Sequence, residues 1–185
     1  MNTPTLPLGD DDLKKLLDGC RKYPGNGKRV RAMVLLLRYS GLRISDAVAL
    51  KRERVQGDRI FLYQQKTGTP VCVPVPDFVI RALNSLPRRE YVFSSGNGEL
   101  KSAIEDWRRT FKSLAKLAGV KGFHFHRLRD WFAVSLLERG VDIETVAVLL
   151  GHSSSAVTRR YYNPWIQSRQ SALEAAVRRS WTAVA

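Results

Sequence analysis

The sequence has 185 residues, of which 44% are apolar and 26% are charged, a composition typical of one globular domain and too short for two large ones. Lysine and arginine outnumber aspartate and glutamate by 31 to 17, and the resulting net charge of +14 favours nucleic acid as the partner. No run of 18 apolar residues, no signal peptide pattern and no CxxC pair is present, so we expect a cytoplasmic protein without a membrane span or a zinc site.

Hydrophobic periodicity predicts three helices in the first quarter of the chain. Acidic residues 10–12 precede a helix with an apolar face, and a second helix is predicted over about 28–39. Gly41 ends that helix, and a short third helix is predicted over 44–50. Arg43 therefore lies in a tight junction between two helices.

Alternating apolar residues then predict a β-hairpin. The strands are expected at 59–65 and 70–75, with Val55 near a possible third strand. The turn between the strands, residues 66–69, places Lys66 at the tip of the hairpin.

The rest of the chain is predicted to be helical, with helices over 77–86 and 101–117 and then a series of helices from Phe125 onwards. The predicted fold class is α+β, mainly α-helical, with a small antiparallel sheet. We expect a single domain, with its core at about 8–165 and a C-terminal amphipathic helix over 166–183.

Several segments carry cations, imidazoles or tyrosines where packing does not require them. They contain Arg43 with Asp46, Lys66, His126 with Arg129, and His152 followed by Tyr161 and Tyr162. Each segment alone has an ordinary explanation, such as a surface ion pair, a solvated lysine, a helix cap or core aromatics. Together they suit phosphoryl transfer: guanidinium groups stabilise the charge on phosphorus, imidazole and ammonium groups move protons, and a tyrosine is the nucleophile.

The ordered set resembles the tyrosine recombinase, or phage integrase, family. Residues 40–50 read SGLRISDAVAL and are similar to the first conserved box of that family. Residues 126–129 (HRLR) and 149–154 (LLGHSS) are similar to the second, and the hairpin lysine and the closing tyrosine agree in order. The resemblance extends from about Leu8 to Trp181. It implies the family's catalytic fold and an enzyme that cleaves and rejoins DNA strands through a 3′-phosphotyrosine intermediate.

The resemblance also implies roles for individual residues. Arg43 and Arg129 would bind the scissile phosphate, and Asp46 would orient the active-site arginine. Lys66 would be the general acid that protonates the departing 5′ oxygen.

The two histidines complete the implied set. His126 would assist proton transfer near the tyrosine, and His152 would hydrogen-bond a non-bridging phosphate oxygen. Because the phosphotyrosine conserves the bond energy, no metal and no cofactor is expected.

Two adjacent tyrosines compete for the role of nucleophile. In many family members the tyrosine lies nine positions after the second histidine, which is Tyr161 here. In one group of mobile-element integrases it lies one place later and is followed by a small residue, Pro and Trp. Residues 161–165 read YYNPW, which favours Tyr162.

The expected partner is double-stranded DNA, with a tetramer formed on two DNA sites and no membrane. The expected setting is bacterial or phage-encoded and nucleoid-associated. Family enzymes usually carry a core-binding domain before the catalytic one, and about a dozen residues precede the first helix here, so that domain is expected to be absent. A type IB topoisomerase-like enzyme and a non-catalytic or fragmentary DNA-binding integrase remnant stay open as alternatives.

Overall fold

Three helices begin the fold. The computed structural model describes residues 8–152, 154–162, 174–175 and 177–178. Helix α1 (Asp10–Lys22) has aspartates in its first turn and basic residues in its last, which complements the helix dipole. Helix α2 (Gly27–Ser40) begins at Asn26, whose side chain accepts a hydrogen bond from the backbone N of Arg29 at 2.9 Å. Helix α3 (Ile44–Val48) follows after three residues.

A three-stranded antiparallel sheet comes next, formed in the order β1 (Val55–Gln56), β2 (Arg59–Tyr63) and β3 (Pro70–Pro74). Ile60 is paired with Val73 and Leu62 with Val71, and these four side chains are buried. Since side chains alternate between the faces of a strand, one face of the sheet packs on the core and the other faces solvent.

The loop between β2 and β3 is closed by its own backbone. The backbone N of Gln64 donates to the carbonyl of Thr69 at 2.9 Å, and the backbone N of Gly68 donates to the carbonyl of Gln64 at 2.8 Å. Gly68 has a φ of 66°, a left-handed conformation that glycine adopts without steric cost. Lys66 lies exposed at the tip, as the sequence predicts.

The second half of the chain is helical, and its helices are α4 (Asp77–Asn84), α5 (Leu100–Ala118), α6 (Phe125–Glu138), α7 (Ile143–Leu150) and a helical segment at 155–162. Helix α2 is buried along most of its length because α1, α4 and α6 all pack against it. Helix α7 packs against both α6 and β3. This packing brings the junction of α2 and α3, the first turns of α6, the end of α7 and the β2–β3 loop together on one side.

The predicted fold class is confirmed, and most helix ends lie within two residues of their predicted positions. The third helix ends at Val48, although the pattern predicted a helix to residue 50. The carbonyl of Leu50 instead accepts a hydrogen bond from the backbone N of Val92 at 2.9 Å. This tertiary contact draws the chain into an extended conformation, and Lys51 then forms a β-bridge with Tyr91.

The two cysteines differ in environment. Cys20 is buried in the core, and burial raises the pKa of its thiol to about 11. Cys72 is exposed, because it lies on the outward face of β3.

The predicted C-terminal helix at 166–183 falls largely outside the described residues. Within that helix, only residues 174–175 and 177–178 are described, and they are helical. Across the described part of the chain, no helix has both the length and the apolar character needed to cross a membrane.

Candidate active site

Arg129, on α6, is the buried centre of the site, with 3% of its surface exposed. Its Nη1 donates to the carbonyl of Gly41 at 2.5 Å, and its Nη2 donates to the carbonyl of Leu150 at 2.7 Å. Those carbonyls lie at the C-terminal ends of α2 and α7, where the helix dipole is negative and stabilises a cation. Desolvation, followed by the nearby charge of Arg43, lowers the pKa of Arg129 to about 10, so the guanidinium stays charged at neutral pH.

The glycines of both sequence boxes are required by their backbone conformation and by their neighbours. Gly41 has a φ of 64°, and a Cβ there would lie 2.4 Å from the ring of Phe132. Gly151 has a φ of 62°, and a Cβ there would lie 2.4 Å from the Nε2 of Gln64. Both glycines end a helix in the left-handed conformation, which lets the two carbonyls turn towards Arg129.

Gln64 joins the β2–β3 loop to the end of α7. It is buried, and its Nε2 donates to the carbonyl of Leu150 at 2.8 Å. Its Oε1 accepts a hydrogen bond from the hydroxyl of Thr67 at 2.9 Å. The base of the loop that carries Lys66 is therefore attached to the same carbonyl that holds Arg129.

Asp46 supports the same loop from the opposite side. Its Oδ1 accepts a hydrogen bond from the backbone N of Gln65 at 2.8 Å, and its Oδ2 is buried without a hydrogen-bond partner among the described residues. Desolvation raises the pKa of Asp46, while the Gln65 hydrogen bond and the charges of Arg43 and Arg129 oppose that rise. Asp46 thus lies in the electrostatic field of both arginines, and its orienting role stays a prediction.

Arg43 supplies a second cation to the site. It is the residue that precedes the first turn of α3, and its extended backbone (φ −68°, ψ 151°) separates α3 from the end of α2. Its Nη1 is buried and has no hydrogen-bond partner in the described part of the chain. Its charge is one of the causes, after desolvation, that lower the pKa of Arg129. Two cations and a buried donor without a partner among the described residues are features that suit an anion such as a phosphate.

His152 is held between two partners that determine which ring nitrogen carries the proton. Its Nε2 lies 3.1 Å from the Nη2 of Arg129, and its Nδ1 lies 2.7 Å from the hydroxyl of Thr158. A guanidinium can only donate, so Nε2 must be the acceptor and Nδ1 must carry the hydrogen that is donated to Thr158. Desolvation, reinforced by the charges of Arg129 and Arg43, lowers the pKa of His152 to about 4. The imidazole is therefore neutral at physiological pH.

His126 and Lys66 lie at the exposed side of the site. His126 is in the first turn of α6, three residues before Arg129. Although the residue as a whole is accessible, packing around its ring desolvates it and lowers its pKa, against the attraction of the Asp130 carboxylate. Lys66 forms no ion pair within the described residues.

The adjacent tyrosines, both in the helical segment at 155–162, have opposite environments. Tyr162 is 4% exposed, and its hydroxyl donates to the Oδ1 of Asp130 at 2.8 Å. Tyr161 is 43% exposed. Desolvation and the Asp130 carboxylate raise the pKa of Tyr162 well above its ordinary value, and Arg129 partly opposes that rise. Of the two candidates, Tyr162 is the one that lies within the charged cluster.

Three residues that organise this site were not predicted as site residues from the sequence: Gln64, Asp130 and Thr158. Asp130 directly follows Arg129, and a buried aspartate in an otherwise apolar stretch of helix is a signal that was available. Thr158 lies between His152 and the tyrosines, and its contact with His152 could not be read from spacing. Gln64 closes a strand and resembles an ordinary loop residue in the sequence.

The arrangement combines two arginines, a neutral imidazole, an exposed lysine and a buried tyrosine paired with a carboxylate. Such a set can bind one phosphate, hold charge that develops on its oxygens and move protons on either side of it. Among the described residues, no three His, Cys, Asp or Glu side chains are grouped as metal ligands would be.

Comparison with known proteins identifies similar sequences. The sequence model of the phage integrase family matches residues 8–167. Tyrosine recombinase XerA of Pyrococcus furiosus is 32% identical over 184 residues, a match that covers 93% of this chain and 63% of that protein. The chain thus spans less than two thirds of the length of this curated relative.

Solved structures show the same fold. A crystal structure of XerA recombinase superimposes with a TM-score of 0.70 at 26% identity, covering 87% of this chain and 61% of the other. The catalytic domain of bacteriophage HP1 integrase superimposes with a TM-score of 0.66 at 24% identity and covers 94% of both chains. The predicted catalytic fold is confirmed by these likenesses.

Proposed function

Because the chain belongs to the phage integrase family, we propose that it is the catalytic part of a site-specific DNA recombinase that cuts and rejoins strands through a 3′-phosphotyrosine. The observation that carries the proposal is the buried Arg129 together with the buried Nη1 nitrogen of Arg43. Arg129 is held by two helix ends, and Arg43 beside it keeps a buried guanidinium nitrogen without a partner. A buried unpartnered donor is costly unless a ligand occupies it, and a phosphodiester is the ligand that suits two guanidinium forks.

The proposed reaction forms one bond to phosphorus and breaks another. The oxygen of Tyr162 attacks the scissile phosphate, and the bond from phosphorus to the 5′ oxygen breaks. Lys66 gives a proton to that oxygen, which leaves a 3′-phosphotyrosine and a free 5′-hydroxyl. A 5′-hydroxyl from a partner strand then attacks the phosphotyrosine and returns the tyrosine. Arg43 and Arg129 stabilise the charge on the non-bridging oxygens throughout.

His152 must change its hydrogen bonding to take part. Its Nε2 accepts from Arg129, so Nε2 carries no hydrogen that it could donate to a phosphate oxygen. A bound phosphate would attract the Arg129 guanidinium and raise the pKa of His152, which would let Nε2 gain a proton and donate. His126 is proposed to assist proton transfer on the tyrosine side.

The proposed partner is double-stranded DNA, because the net charge of +14 and the free arginine both suit a polyanion. The proposed recombining unit is a tetramer on two DNA sites, in the cytoplasm and associated with the nucleoid. Asp46 is proposed to orient the arginines through its charge and to hold the lysine loop through Gln65.

Covalent trapping on nicked duplex DNA tests the proposal. The full-length protein and the variants Tyr162→Phe, Tyr161→Phe and Arg129→Ala are incubated, in the presence of EDTA, with labelled duplexes from the flanks of the encoding element. The nick lets the cleaved end diffuse away, so that the adduct accumulates. We expect a protein–DNA adduct on denaturing gels that Tyr162→Phe abolishes, Arg129→Ala weakens and Tyr161→Phe retains.

Other outcomes have definite meanings. An adduct lost in Tyr161→Phe alone would keep the chemistry and move the nucleophile by one residue. DNA binding by the wild type without any adduct would favour a non-catalytic integrase remnant. Relaxation of supercoiled DNA without strand exchange between two sites would favour a topoisomerase-like enzyme.

A further inference from the structure

No step of the proposed reaction uses the buried hydrogen bond between Tyr162 and Asp130. The hydroxyl donates to the Oδ1 of Asp130 at 2.8 Å, and both residues are buried, with 4% and 6% of their surfaces exposed. Asp130 lies on α6 immediately after Arg129, so the carboxylate that accepts from the Tyr162 phenol shares one turn of helix with the phosphate-binding arginine.

We propose that Asp130 is the general base that takes the proton of Tyr162 when the tyrosine attacks the phosphate. The inference rests on the proposed function, because it requires Tyr162 to be the nucleophile. A base must lie within hydrogen-bond reach of the proton that it removes, and Asp130 Oδ1 meets this condition before any DNA is bound.

The surroundings explain why a base is needed and why this carboxylate suits the task. Burial keeps the tyrosine protonated at neutral pH, so a phenolate will not form without an acceptor. Desolvation raises the pKa of Asp130 towards the working range of a base, while the Tyr162 hydrogen bond, His126, His124 and Arg129 act to lower it.

Asp130 is better placed than His126 to be the first proton acceptor. His126 lies four residues earlier on α6, and its charge interacts with the Asp130 carboxylate. The Tyr162 hydroxyl donates directly to the Oδ1 of Asp130. His126 is therefore placed to receive the proton from Asp130 or to stabilise its charge.

The step balances in atoms and charge. The bond from the Tyr162 oxygen to phosphorus forms as its O–H proton passes to the Asp130 carboxylate, and the bond from phosphorus to the 5′ oxygen breaks as Lys66 protonates that oxygen. In strand joining the protonated Asp130 returns its proton to the departing tyrosine oxygen. The cycle consumes no oxidant, reductant or co-reactant.

The test compares Asp130→Asn with Lys66→Ala in the full-length protein, using ordinary duplexes and duplexes with sulfur in place of the scissile 5′ bridging oxygen. Asparagine keeps an acceptor for the tyrosine hydroxyl but cannot take its proton. A sulfur leaving group departs without protonation, so it bypasses the general acid and leaves the tyrosine side unchanged. Asp130→Glu, which keeps a carboxylate, is the conservative rescue variant, and circular dichroism and DNA binding check the fold of each variant.

We expect Asp130→Asn to slow adduct formation by about 10²–10⁴-fold at neutral pH on both substrates. Its rate should rise about tenfold per pH unit, because hydroxide replaces the lost base, whereas the wild-type rate should level off once Asp130 is ionised. Lys66→Ala should be slow on the oxygen substrate and recover on the sulfur substrate. Asp130→Glu should regain part of the activity.

Several results would overturn the inference while the proposed function stands. One is an Asp130→Asn rate within about threefold of the wild type, and another is recovery of that variant on the sulfur substrate. A faster reaction would show that Asp130 restrains the tyrosine in an inactive position. If the wild type forms no adduct, or forms it through Tyr161, the proposed nucleophile fails and this inference fails with it.

Discussion

A buried arginine that forms no ion pair within the described part of the chain is the residue on which this site depends. The charge of Arg129 is balanced by two carbonyls at helix C-termini and not by a carboxylate. A carboxylate hydrogen-bonded to the guanidinium would compete with a phosphate for the same fork, whereas carbonyls hold it without neutralising it. The residue is thus fixed in place while its charge stays available.

Replacing Arg129 by lysine tests whether this geometry matters beyond charge. Lysine keeps the positive charge but cannot bridge the Gly41 and Leu150 carbonyls with a planar fork. We expect adduct formation to fall by about 10²–10³-fold. The free energy of unfolding should fall by about 1–3 kcal/mol, because at least one buried carbonyl loses its donor. Urea unfolding and adduct kinetics measure the two effects.

Arg21→Lys is the matched control for that change, because Arg21 is an exposed arginine paired with Asp18 at the surface of α1. Its unfolding free energy should stay within about 0.5 kcal/mol of the wild type. An Arg129→Lys protein as active as the wild type would show that charge alone suffices and would contradict the forked binding.

His152 predicts a pH dependence of stability. Its pKa is about 4 in the folded protein and about 6.5 in the unfolded chain, so between these values the unfolded chain binds a proton that the folded protein does not. The free energy of unfolding should therefore decrease as the pH falls through this window, with a contribution from His152 of about 1–3 kcal/mol.

The comparison with His152→Gln isolates this contribution, because Asp46 and Asp130 also titrate and have shifts of the opposite sense. Glutamine does not titrate, so its stability should fall less on acidification than that of the wild type. Urea unfolding at several pH values measures the difference. Identical pH profiles for the two proteins would mean that His152 is not kept neutral by the fold.

At the scale of the elements, the C-terminal ends of α2 and α7 hold the Arg129 side chain in place. We expect these ends to be most sensitive to substitution at Gly151, which ends α7. Gly151→Ala forces a residue with a Cβ into a left-handed conformation (φ 62°) and places that Cβ 2.4 Å from Gln64 and 2.6 Å from Val71. We expect the free energy of unfolding to fall by about 3 kcal/mol or more, from backbone strain and overpacking together. Cleavage should fall as well, since the Leu150 carbonyl would be displaced.

Gly119→Ala separates these two causes. Gly119 ends α5 with a φ of 68°, but no atom lies within 4 Å of a Cβ built there. Only the backbone cost remains, about 1–2 kcal/mol, and adduct formation should be unchanged. Equal losses at the two glycines in urea unfolding would show that the contact with Gln64 is unimportant.

The helices and the hairpin could be predicted from the sequence because their signals are local. Gly41 and Gly119 end helices, and alternation of apolar residues defines β2 and β3. The end of α3 could not be predicted, because the bond from Val92 to Leu50 joins distant parts of the chain.

For the site too, local features could be predicted from the sequence, whereas contacts between distant segments could not. The types of residue and their order indicated phosphoryl transfer, and the fold brings Arg43, Arg129 and His152 together. Spacing could not show that Asp46 holds the backbone of Gln65 or that His152 pairs with Thr158, since these contacts depend on how separate helices and the hairpin pack.

At the scale of the whole molecule, the excess of positive charge predicts how the protein meets DNA. A protein that neutralises several phosphates releases counterions, so its affinity falls steeply as salt is raised. With a net charge of +14, we expect contacts to about 6–10 phosphates, and hence a loss of about 10³–10⁵-fold in affinity between roughly 50 and 200 mM salt. Fluorescence anisotropy with a labelled duplex measures this slope. Lys66→Ala should reduce the slope by about one, because Lys66 lies exposed in the β2–β3 loop, where its ammonium can contact a phosphate. Asp58→Asn, an exposed change beside β2, should leave the slope nearly unaltered. An affinity that is insensitive to salt would show that the protein does not bind DNA through its phosphates, and the arginine pair would then need another ligand.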